Sequence, residues 1–371
     1  MIEDDDLEAA VVDGIITSAQ LEALQKFAGS RKATAERADD ERFRFMRGFN
    51  DFFFAVGIVL FGVGIAFFAG TSALMNLLAA ILIWVLAEFL VRRMRLVLPG
   101  ILLVLLFAFF AFRLAQLNWA ALSHFVGVPL RLTPGFPTRP SPFIDSFEPI
   151  AIAVKALAAA LAATLFYLRF RLPFALLVIA GFLVLFVSML LGPVLFPSIS
   201  TYPFILLACG LAVFAFAMYY DLSDRTRSTR LADCAFWLHL LAAPLIVHSL
   251  IRLLLPGAAA SAGPLGLTMT TTSAVTIFVI VALLTAIAIL IDRRALLVST
   301  LIYLGTAIGF ALTGAVRAGA DSEASVFFAT LVILGAMVLI LGAGWQPLRR
   351  VFLRLVPPAF VNRLPPAASP A

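Results

Sequence analysis

The chain holds three histidines, His124, His239 and His248. Two of them share the apolar stretch AFWLHLLAAPLIVHSL at residues 235–250. A histidine in such surroundings can bind a metal, carry a proton along a solute path, sense pH or bond to a neighbouring helix. Spacing argues against a shared metal. Two ligands on one helix need i,i+4 spacing, whereas a nine-residue step turns the helix by ~900° and advances it ~13 Å. His239 and His248 therefore face opposite sides of a straight helix at different depths. His124 lies in a different segment, and no partner carboxylates accompany it, so no metal centre and no cofactor are expected.

Other ionisable residues in apolar runs are candidates because a charge at membrane depth is costly. Asp233 lies near the start of the run holding His239, close to Arg227 and Arg230, and is expected to balance them. Pro244 removes the hydrogen bond to the carbonyl of Leu240, which predicts a kink between the two histidines. Lys155 lies ~9 Å into its own run, from where its stem can snorkel outward. His239, Pro244, Asp233 and Lys155 make up the candidate intramembrane polar site. His239 can serve there as a structural hydrogen-bonding group, as part of a transport path or as a pH sensor. Glu88, four residues before Arg92, predicts an ordinary i,i+4 ion pair.

Catalysis finds little support. The chain contains no HExxH, no nucleophile elbow, no Gly-rich phosphate loop and no CxxC pair, and no enzymatic activity is expected. Cys209 and Cys234 both fall in apolar runs at different depths, too far apart for a bond that needs Cα atoms within about 7 Å.

The elements that must position these residues follow from composition. Of the 371 residues 63% are hydrophobic and 13% charged, and mean hydropathy is +1.06. Soluble domains are far less apolar and about a quarter charged, so the fold class is an all-α polytopic transmembrane bundle. A span needs about 20 apolar residues. Ten stretches qualify: 51–70, 73–91, 96–113, 149–168, 172–192, 202–220, 231–251, 272–291, 295–316 and 325–346. Of the 27 basic residues, five fall on one side (Arg113, Arg131, Arg139, Arg252 and Arg317) and Lys155 lies within a span. All the others flank the opposite ends. That bias predicts cytoplasmic N- and C-termini, a multi-pass inner-membrane location and a lipid bilayer as the main partner. The net charge of +6 is thus used in orientation, and no nucleic-acid partner is implied.

Residues 1–50 read as a small cytoplasmic appendage. Thr17 and Gln20 have capping-box spacing ahead of Leu21, Leu24 and Phe27, predicting a helical hairpin around Gly14 and then a connecting helix at 31–48. The opening has no charged-then-apolar leader, so the first span is expected to act as the insertion signal. Loop 114–148 is rich in proline and 253–271 is uncharged. Residues 347–371 form a basic and then Pro/Ala-rich cytoplasmic tail.

The opening LEAAVVDGIITSAQLEAL and the run RFMRGFNDFFFAVGIVLFGVGIAFF resemble a group of uncharacterised bacterial inner-membrane families of unknown function. That resemblance implies a multi-pass protein with a short N-terminal cytoplasmic segment and brings no site residues. Two functions stay open. One is a transporter-like role for a small solute. The alternative is a non-transporting scaffold or sensor whose residues 1–48 bind a cytoplasmic protein partner. A water-accessible cavity reaching His239 would favour the first.

Overall fold

The computed structural model describes residues 11, 13–23, 25–26, 49–119, 149–195, 202–224, 229–255, 270–298, 300–315, 322–354 and 357. From residue 49 the described chain forms α1 (Phe49–Ala69), α2 (Ala73–Ala87, extended by a π-helical turn, Glu88–Arg93), α3 (Val97–Leu117) and α4 (Pro149–Phe170). There follow α5 (Phe174–Leu195), α6 (Tyr202–Ser223), α7 (Arg230–Leu254) and α8 (Thr271–Ile291). The chain then forms α9 (Ala295–Val298), α10 (Thr300–Ala315), α11 (Ser322–Ala343) and α12 (Trp345–Arg354). The protein is an all-α, polytopic bundle and a multi-pass membrane protein. Phe67, Phe68 and Leu339 are each more than 70% exposed, which fits helices whose outer faces meet acyl chains.

Among the described residues nine helices are long and apolar enough to cross a membrane, where the sequence predicts about ten. The remaining stretch, 295–316, is described in two parts, since residue 299 lies outside the described residues. Both parts are helical, the four-residue α9 and the 16-residue α10.

Three tight turns at one end of the bundle close on a residue with left-handed backbone: Arg95 (φ 57°), Arg171 (φ 51°) and Asp292 (φ 57°). After α8 the turn is of Schellman type: the Arg293 amide bonds back to the Ala288 carbonyl at 2.9 Å. These turns carry Arg92, Arg93, Arg95, Arg169, Arg171, Arg293 and Arg294, and this side is called the basic end below. Here Glu88 pairs with Arg92 at 3.4 Å, the spacing-based partner. It also takes two bonds from Arg169 of α4, at 2.6 and 3.1 Å, an inter-helix link that linear spacing does not reveal. At the opposite end Asn76 donates to the Ala69, Gly70 and Ser72 carbonyls. Arg113 donates to the Gly70 carbonyl as well, holding the α1–α2 turn.

Helices α1–α5 share one apolar core, in which Trp84 sits among Phe107, Phe166 and Phe170. Three smaller clusters join α6–α8, α10 and α12. Helix α7 reaches all of them: Trp237 packs on the first core, Val247, Ala243 and Leu238 on the others. Half of its apolar window is buried, the largest share of any span. The stretch holding both histidines is thus the central helix of the described bundle.

Near the N-terminus the capping box forms: the Thr17 amide donates to Gln20 Oε1 at 2.8 Å and the Gln20 amide to Thr17 Oγ1 at 3.3 Å. Gly14 turns the chain with φ 70°. The connecting helix at 31–48, residues 120–148 of the proline-rich loop, residues 256–269 and the tail beyond 357 lie outside the described residues. The basic stretch at 347–354, assigned from sequence to the tail, belongs to helix α12.

Helices α6 and α7 approach closely at Gly210, where an added Cβ would lie 2.9 Å from Leu245 Cβ and 3.2 Å from the Ile246 amide nitrogen. A Cβ at Gly62 would meet only the Leu106 methyls, at 2.7 and 2.8 Å, and a rotamer change can move those. Gly210→Ala is therefore expected to destabilise the purified protein by about 1–3 kcal/mol in thermal unfolding, and Gly62→Ala by clearly less. Equal effects would show that α6 and α7 are not closely apposed there.

Candidate functional site

The α6–α7 turn sets the site. Asp224 accepts from the Thr229 amide at 2.9 Å and from the Thr229 hydroxyl at 2.6 Å. Thr229 in turn caps α7 by accepting from the Leu231 amide at 3.2 Å. This pins the register of α6 against α7. Side chains lean toward the N-terminus of their own helix. Asp221, near the end of α6, therefore leans back into the bundle, while His239 of α7 leans toward the basic end, and the two meet.

His239 Nε2 lies 2.8 Å from Asp221 Oδ2. Arg293, just after α8, grips the same carboxylate from the other side. Its Nε donates to Oδ2 at 3.2 Å and its Nη2 to Oδ1, and Nη2 also reaches the Ala232 carbonyl at 3.3 Å. A carboxylate held by a guanidinium fork accepts only, so the facing Nε2 of His239 carries the proton. The Phe214 ring stands edge-on to His239 with centroids 5.3 Å apart. Exposure is 6% for Asp221, 2% for Arg293 and 0% for His239. Three segments thus place an acid, a base and an imidazole together out of contact with solvent.

A second network begins one residue earlier. Asp292 occupies the left-handed position after α8 (φ 57°, ψ 49°), a conformation that Asp adopts more readily than most residues. Its carboxylate accepts from Trp345 Nε1 at 2.7 Å and pairs with Arg349 at 3.6 Å. Both partners belong to α12, and both are buried. The dipeptide Asp292–Arg293 therefore points one side chain at α12 and the other at α6 and α7.

The four residues singled out from sequence do not converge. Only His239 joins the buried network. Asp233 is exposed in the first turn of α7, and Pro244 is exposed within a helix assigned without a break from Arg230 to Leu254. Lys155 corrects the expectation that it snorkels outward: it is 6% exposed. Ala151, Ala159 and Ala163 share its i,i+4 row on α4 and are all buried, so the row faces inward and their small side chains leave room for the lysine. His248 bonds through Nδ1 to the Tyr303 hydroxyl of α10, a partner distinct from that of His239. Cys209 and Cys234 are free thiols. Among the described residues no group of three or more His, Cys, Asp or Glu side chains is placed to hold a metal ion.

Sequence reasoning missed Asp221 and Arg293. The sixth span, drawn at 202–220, stopped one residue short of Asp221, and Arg293 served only as an orientation charge. The available signal was an acid flush with a span end, together with an arginine in a tight turn two spans away.

An apolar cleft of about 280 Å³ opens between α1 and α3, lined by Ile58, Gly62, Leu102, Leu106 and Phe109 among others. It touches none of the buried charges and so is not the cavity at His239 that would favour a transporter-like role. Solute chemistry at the Asp221 network would require the helices to part.

Removing one member of a buried ion pair leaves an uncompensated charge, at a cost of about 3–5 kcal/mol. Asp221→Asn is expected to destabilise the protein on that scale, and Arg293→Met similarly. The double variant should be less destabilised than the sum, by at least about 1 kcal/mol. Thermal unfolding of the four proteins in one detergent measures the coupling, and strict additivity would mean that the pair is not formed.

Comparison of the chain with models of known families, with curated proteins and with solved structures finds no match to any of them.

Proposed function

We propose that the chain is a transporter-like inner-membrane protein for a small solute, seen with the Asp221–Arg293–His239 network closed as a gate at its basic end. One observation carries this reading. Three ionisable side chains from separate segments converge inside an apolar bundle, where such groups are costly and mark solute or proton paths. Their position suits a gate. Asp221 lies two residues from the end of α6 and Arg293 lies in the turn after α8, so parting α8 from α6 and α7 would open the bundle from that end. The distribution of arginines supports a cytoplasmic basic end and cytoplasmic termini.

A second reading is favoured by the complete burial of His239. The network can be a static brace in a non-transporting scaffold or sensor, with residues 1–48 binding a cytoplasmic partner.

Accessibility separates the two. Ala235 lies one turn before His239 and is fully buried, so a thiol there reports whether this part of the bundle opens. With Cys209 and Cys234 replaced by serine, Ala235→Cys in sealed vesicles would be treated with a membrane-impermeant thiol reagent. A gate that opens predicts slow labelling, accelerated at least tenfold by Asp221→Asn. A brace predicts no labelling over hours in an otherwise unaltered network, and that result would overturn the transporter reading.

A further inference from the structure

Helix α12 follows the last spanning helix after a single residue, Gly344, which puts it at the level of the membrane surface. Its two faces differ sharply. Trp345 and Arg349 are buried and Leu348 and Phe352 are partly so, all four on one face against the bundle. On the other face Pro347, Arg350, Val351 and Arg354 are exposed at i, i+3, i+4 and i+7. Val351 is 54% exposed between two arginines. The helix contains no acidic residue. Arg294, also exposed, holds its guanidinium 5.4 Å from the centre of the Trp345 ring.

We propose that the outward face of α12, with Arg350 and Arg354 as its charged contacts, is a docking surface for anionic phospholipid headgroups. The geometry meets the chemistry on three counts. Arginine forks match phosphate oxygens in pairs, and guanidinium is weakly hydrated, so it gives up water readily at a headgroup. Val351 and Pro347 supply the apolar contact by which an interfacial helix sinks toward the acyl boundary. Position selects the occupant: a basic face one residue beyond a membrane span meets lipid phosphates before any soluble anion. Orientation of the chain alone requires positive charge at this end but not its ordering on a docked helix. The buried side of α12 anchors that helix through Trp345 and Arg349 to Asp292, the neighbour of the arginine that holds Asp221. A lipid on α12 therefore also bears on the turn after α8.

The test uses the full chain purified in a neutral detergent, with native mass spectrometry counting bound phosphatidylglycerol against phosphatidylcholine. The wild-type protein is expected to retain phosphatidylglycerol preferentially. Each arginine near an anionic surface contributes about a fivefold gain in association, so Arg350→Gln/Arg354→Gln should lower the preference by an order of magnitude or more. Arg350→Lys/Arg354→Lys should keep most of it. Val351→Glu, which places an acid between the arginines, should lower it at least as far as either single Arg→Gln change. Arg92→Gln/Arg93→Gln, in another basic turn that lacks a docked helix face, should lower it clearly less. A preference that survives both the double glutamine variant and Val351→Glu, or that falls equally with Arg92→Gln/Arg93→Gln, would overturn the assignment to α12.

Discussion

A carboxylate buried in an apolar bundle must be paired, and much of this structure is arranged around that requirement at Asp221. The ion alone would be heavily penalised away from water. Arg293 supplies the opposite charge and a two-pronged grip, and His239 fills a further acceptor site. Their attraction is strong because the surroundings are poorly polarisable. The same fact makes loss of any member expensive, so the network acts as a unit. It ties α6 and α7, which pack intimately along their length, to the end of α8, which α7 otherwise meets sparsely.

The turn after α8 extends that tie. A left-handed residue at Asp292 redirects the chain so that successive side chains diverge. Arg293 reaches inward to α6 and α7, while Asp292 holds α12 through Trp345 and Arg349. Farther along α7, His248 meets Tyr303 on α10. Both histidines of the central helix are thus polar pins in an apolar interface, fixed to different partners. Interhelical hydrogen bonds of this kind add modest stability in membranes but select one packing among many similar ones. A bundle so rich in Ala, Leu and Phe has few other means of choosing its neighbours.

Much of the fold was legible in the sequence because membrane insertion leaves a coarse signal. Runs of about 20 apolar residues locate nine of the helices within a few residues of their observed ends, and basic turns punctuate them. The remaining stretch, 295–316, is helical at 295–298 and at 300–315. The site was far less legible. Helical spacing separates His239 from His248 and dissociates them from a common metal. It does not reveal that Asp221, Arg293 and His239 meet, since they are brought together by helix pairing. Lys155 shows the same gap: its depth follows from the sequence, but the inward-facing alanine row that encloses it depends on which way α4 is turned.

The most direct measurement is ¹⁵N nuclear magnetic resonance of histidine-labelled protein in detergent or bilayer, since only three histidines contribute signals. The account predicts that the His239 ring carries its proton on Nε2 in a hydrogen bond to a carboxylate. It also predicts that Asp221→Asn shifts that signal while leaving those of His124 and His248 in place. A His239 signal with an unprotonated Nε2, or one indifferent to Asp221→Asn, would contradict the buried network on which the rest depends.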